Sequence, residues 1–89
     1  MSTRWEADPR ATLSRRLGKS AKTLGMTDEA NGCPDIWELS NGDIAVIGRD
    51  LSATYRHNLP DDVTIAPDER LVVIPRAMLL STKPDLPDA

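Results

Sequence analysis

The chain has 89 residues, 39% of them hydrophobic and 28% charged, with a formal net charge of −3; this describes one small soluble domain with a thin core, since a chain of this size buries only roughly 60% of the surface its unfolded form exposes. The longest apolar runs, at 44–47 and 71–74, fall far short of the ~18 residues of a membrane span, and residues 2–6 have no apolar core of the kind a secretion signal needs. The single Cys33 can form neither an internal disulfide nor a multi-thiolate metal site, which fits a reducing cytoplasm.

Charge is unevenly distributed. Residues 1–25 carry Arg4, Arg10, Arg15, Arg16, Lys19 and Lys22 against Glu6 and Asp8, a balance of +4, whereas residues 26–89 balance at −7. A basic segment on an acidic body suggests an interaction tail or contact between opposite patches. Asp8 and Pro9 form a helix-start signal, and Leu13, Leu17, Ala21 and Leu24 recur at helical spacing. The pattern predicts a basic amphipathic helix over 9–24, interrupted by Gly18, or a disordered arm. Residues 1–32 thus read as an arm and linker. In functional terms, Arg10, Arg15, Arg16, Lys19 and Lys22 would contact phosphates, making the chain a small DNA-binding regulator. The acidic body would repel the same backbone, so nucleic acid is not the favoured partner, and a solubilising arm is the simpler reading.

From Cys33 to Pro84 the pattern is that of a compact α+β domain. Asn41-Gly42 suits a two-residue hairpin turn, giving a hairpin over 35–48. That turn would set Leu39 opposite Ile44 and Trp37 opposite Val46, leaving Ile36, Glu38, Ala45 and Ile47 on the second face. A face so apolar calls for a cover. Asp50 then caps a helix over 51–59 ended by Pro60, the β-branched run at 70–74 reads as an internal strand, and Pro75 opens a helix over 75–83. Residues 85–89 form a frayed tail. The expected architecture is a three- to four-stranded, mainly antiparallel sheet with two short helices.

Chemistry is sparse. His57 stands beside Arg56 without a cysteine, histidine or acid at ligand spacing, and it reads as a surface residue. Cys33 lacks any recognisable nucleophile signature; the acidic pairs Asp61-Asp62 and Asp68-Glu69 lack the alternation of a calcium loop. Trp5, Trp37 and Tyr55 are the whole aromatic complement, too few for a stacking platform on single-stranded nucleic acid. No cofactor or metal is expected, and an enzyme is the least supported class.

The segments 33–39, 45–50 and 72–80 resemble a group of small actinobacterial proteins often encoded near helix-turn-helix regulators. The stretch from Gly32 into the hairpin is also loosely similar to the BldB-type developmental regulators. The resemblance implies a regulatory accessory protein, with a helix-turn-helix regulator among its partners, and carries no catalytic motif. Residues 69–76 are similar to the strand, proline and basic residue of AbrB-type swapped-hairpin transcription factors, although in that family the element comes early and builds an intertwined DNA-binding dimer. The reading that results is a non-enzymatic interaction module that binds a protein partner or a second copy of itself through sheet surface. The residues expected to carry it are Ile36, Ala45 and Ile47.

Overall fold

The structure, a computed structural model, describes residues 5–86. Arg4 of the basic segment and residues 87–89 of the expected tail lie outside the described residues. The fold is α+β. In chain order it contains β1 (Leu13–Arg16), β2 (Asp35–Leu39), β3 (Ile44–Ile47), β4 (Arg49–Asp50), α1 (Ser52–Tyr55), β5 (Val72–Val73), α2 (Arg76–Leu80) and a 3-10 turn at Lys83–Asp85. An antiparallel sheet runs β1-β2-β3, and β4 pairs with β5 in a second, two-stranded sheet.

The helix expected over 9–24 is absent: this segment supplies β1 and then a series of turns. Its apolar spacing serves a different geometry. Leu17 and Ala21 are fully buried, Leu24 packs against them, and Leu13 is exposed. Gly18 adopts φ +73°, a left-handed conformation that ends the strand and that an L side chain resists. The chain then closes on itself through Leu24 N–H to Ser20 O and Met26 N–H to Ala21 O.

Long-range pairing outcompetes helix propensity here: β1 gains a backbone ladder with β2 and the burial of Leu17, and it meets opposite charges on β2. Arg15 is 3.2 Å from Glu38, and Arg16 holds Asp35 through two bonds of 2.8 and 3.1 Å. The basic and acidic halves of the sequence therefore meet as adjacent strands of one sheet. Leu17, Ala21, Ile36 and Met78 form the buried core, with Leu24, Met26 and Ile74 around it. Leu17 and Ala21 come from the segment read as an arm, so position 33 does not mark the start of the folded body.

The hairpin is present with its register displaced by one residue. Leu39 N–H bonds to Asp43 O at 2.8 Å, and Gly42 N–H bonds to Leu39 O at 2.9 Å. Residues 40–42 therefore form a three-residue loop closed by a bulge at Gly42, whose φ is +91°. Asn41 stays out of the left-handed region, as does every other described residue that is not glycine, which excludes the two-residue turn expected at Asn41-Gly42. The displacement sets Ile36 opposite Val46, Trp37 opposite Ala45 and Glu38 opposite Ile44. One face thus carries Leu17 and Ile36 into the core with Val46 and Ile44 exposed beside them, and the other carries Trp37, Ala45 and Ile47.

The remaining elements are shorter than the sequence predicts. The helix expected over 51–59 is the single turn α1, for Tyr55 is exposed and a stripe with little to pack on does not sustain a short helix. The strand expected inside the sheet over 70–74 is β5, which pairs antiparallel with β4 and leaves Val72 and Val73 exposed. The helix expected over 75–83 stops at Leu80. Beyond it the Ser81 and Thr82 hydroxyls bond back to the carbonyls of Met78 and Leu79, each at 2.7 Å, a local alternative to helical bonding.

The expected fraying from residue 85 does not extend to Asp85 itself. Its carboxylate accepts Gly18 N–H at 2.6 Å and its carbonyl accepts from Arg15 at 2.9 Å, which ties the C-terminal turn to the end of β1.

Candidate interaction site

The three-stranded sheet has two outer strands of opposite character. β1 reads Leu-Ser-Arg-Arg and pairs with β2 through a register shift between Leu13 and Arg15, so Ser14 is a bulge. A bulged edge carrying charge is poorly suited to accept another strand. β3 reads Ile-Ala-Val-Ile. It has no charge, proline or bulge, and Ile44, Val46 and Ile47 are exposed by 48, 41 and 46%.

The backbone of β3 divides by parity. In an antiparallel ladder the bonded positions alternate; Leu39 N–H bonds to Asp43 O, and Leu17 N–H bonds to Ile36 O on the other side of β2. Odd-numbered β2 residues therefore bond toward β3, so Ala45 and Ile47 bond toward β2. Ile44 and Val46 turn their N–H and C=O groups away from the sheet, where β3 is the last strand among the described residues. Asp43 and Arg49 flank this apolar run, an acid before it and a base after it.

The displaced register separates the three residues expected to act together. Ile36 is 3% exposed and belongs to the core, so it is a packing residue and unavailable to a partner. Ala45 is half-buried and Ile47 exposed on the opposite face, beside Trp37. Ile44 and Val46, which the two-residue turn placed on the first face with Leu39 and Trp37, are the edge residues that sequence reasoning missed. The only available signal was the absence of any charge between Asp43 and Arg49.

Arg16 organises the outer face. Its guanidinium lies 4.9 Å from the Trp37 ring centroid while gripping Asp35, combining a cation–π contact with a two-pronged ion pair. The Arg16 guanidinium, through its hydrogen bond, holds the Asp35 carboxyl below its ordinary range, although partial burial pushes the other way. Asp35 in turn raises Arg16.

The five basic residues expected to line one helix face are dispersed. Arg15 and Arg16 are committed to Glu38 and Asp35; Arg10 lies in the turn before β1, Lys19 in the irregular stretch after it and Lys22 in the turn that follows, all exposed. Cys33 and His57 line separate grooves, the first with Met26, Glu29 and Arg49, the second with Arg56, Leu59 and Val63. Among the described residues, no three His, Cys, Asp or Glu side chains gather as a metal site, and no helix is long and apolar enough to cross a membrane. No protein family matches the chain, and neither does any curated protein or solved structure.

Proposed function

We propose that this chain is a non-enzymatic regulatory interaction module that works in the cytoplasm and binds through the free edge of β3. The observation that carries this reading is the exposure of Ile44, Val46 and Ile47 on a strand with no edge protection. An apolar edge is a template for strand addition: backbone bonds supply affinity and alternate side chains supply selectivity. The resemblance to small accessory proteins encoded beside helix-turn-helix regulators supports a regulatory role and such a regulator as one partner. A lone, exposed thiol at Cys33 favours a reducing compartment.

Affinity capture in the native cell with the full chain and with Ile44→Lys and Val46→Lys tests this reading. Both substitutions fall on exposed side chains, so the fold should survive, as circular dichroism would report. Proteins retained by the parent chain should be lost from both variants. Identical retention by all three chains would overturn the assignment of the site to β3.

A further inference from the structure

The edge of β3 is self-complementary. Its apolar run begins after Asp43 and ends before Arg49, so its two ends carry opposite charges. A second strand laid antiparallel beside it brings each acid toward a base. Laid parallel, the same strand brings acid to acid and base to base, which is destabilising. Charge thus selects one orientation, and that orientation is a two-fold.

We propose that the occupant of the edge is a second copy of this chain, paired β3 to β3 about a two-fold axis through Ala45, so that two three-stranded sheets become one of six strands. The inference rests on the interaction-module reading and names its partner. In this register Ile44 stands opposite Val46 of the partner subunit, and Val46 opposite Ile44 of the partner subunit. These are the residues whose N–H and C=O groups point off the sheet, so each pair exchanges backbone hydrogen bonds as an ordinary antiparallel ladder does. Ala45 meets Ala45 of the partner subunit on the axis, where a small side chain leaves the strands free to close. Asp43 lies diagonal to Arg49 of the partner subunit, within reach of a long side chain. The interface is isologous, as closed dimers require. Pairing satisfies the outward backbone groups of β3 and gives its exposed branched side chains cross-strand neighbours.

Neither β1 nor β5 offers an equivalent template. β1 is bulged and carries Arg15 and Arg16, and β5 is two residues long. Because β3 has four residues, the contact is small and the dimer reversible, with its midpoint in the micromolar range expected of a modest interface.

Sedimentation equilibrium of the purified full chain, across micromolar to millimolar concentration, tests the proposal with three variants. The parent chain should pass reversibly from one to two chain masses. Val46→Pro removes an N–H that faces away from the sheet, a position where an edge strand tolerates proline, and should weaken association at least tenfold with an unchanged circular dichroism spectrum. Asp43→Arg and Arg49→Asp should each weaken association by a similar factor. An equal mixture of those two should recover it, because opposite charges then face each other again across a heterodimer. A parent chain that stays monomeric throughout overturns the self-pairing, and the capture experiment then decides the broader reading independently. A dimer indifferent to Val46→Pro and to both charge variants places the contact elsewhere and also overturns it.

Discussion

Gly18 donates its backbone N–H to the Asp85 carboxylate at 2.6 Å, joining residues 67 positions apart in the chain. The same carboxylate residue receives Arg15 on its carbonyl, and Ser81 lies against Gly18 so closely that a Cβ there would stand 2.8 Å from the Ser81 carbonyl carbon. The end of β1 and the C-terminal turn are thus held as one unit over the core. Asp85→Ala should lower stability by about 1–3 kcal/mol, the range for losing a hydrogen bond to a charged group. Gly18→Ala should cost at least as much, since it meets both the positive φ and the Ser81 contact. Urea denaturation of each variant reads these losses; no change for Asp85→Ala would show that the C-terminal turn does not stabilise the sheet.

Asp35 makes stability depend on pH in a defined direction. Its carboxyl is held below its ordinary range by Arg16, so the folded state binds a proton less readily than the unfolded one. The stabilisation is full above the unfolded value, near 4, and is lost as pH falls through the lower folded value. Asp35→Asn should cost about 1 kcal/mol at neutral pH, as for a well-formed pair near the surface. The difference between parent and variant should shrink progressively below about pH 4. Thermal melts of both chains over that range measure it, and a difference independent of pH would refute the role given to this ion pair.

Gly42 determines which face of β3 each residue occupies. Its φ of +91° closes the three-residue loop, and nothing lies within 4 Å of a Cβ built there, so only backbone strain opposes a side chain. Gly42→Ala should therefore destabilise the hairpin by roughly 1–2 kcal/mol. Asn, which tolerates the left-handed region better, should cost less. Equal stability for both variants in denaturant titration would mean that the loop relaxes and the register is fixed elsewhere.

The sequence disclosed the hairpin, the α+β class and the apolar character of Ile44–Ile47, because turn chemistry and β-branched runs are local signals. It concealed β1. Leu13, Leu17, Ala21 and Leu24 repeat at helical spacing, yet Leu17 and Ala21 are buried from opposite sides of the turn at Gly18. The pairings between β1 and β2, Arg15 with Glu38 and Arg16 with Asp35 among them, span 23 and 19 positions, beyond the reach of any window of local periodicity. Uneven charge along the chain was the visible trace of that pairing. The candidate site was half legible: Ala45 and Ile47 stand on an accessible face, while a one-residue difference in loop length sets Ile36 on the opposite face from them, where it is buried in the core. A two-residue and a three-residue loop share the same Asn-Gly signal, so sequence alone does not separate them.

Amide hydrogen exchange resolved along β3 tests the central claim most directly, because an amide exchanges slowly only when it is bonded and closed. In dilute protein, Ala45 and Ile47 should be protected and Ile44 and Val46 open, an alternation fixed by the pairing of β3 with β2. As concentration rises and β3 is covered, Ile44 and Val46 should become protected while Ala45 and Ile47 change little. Uniform protection of all four amides in dilute protein, or continued fast exchange at Ile44 and Val46 in associated protein, would contradict the account.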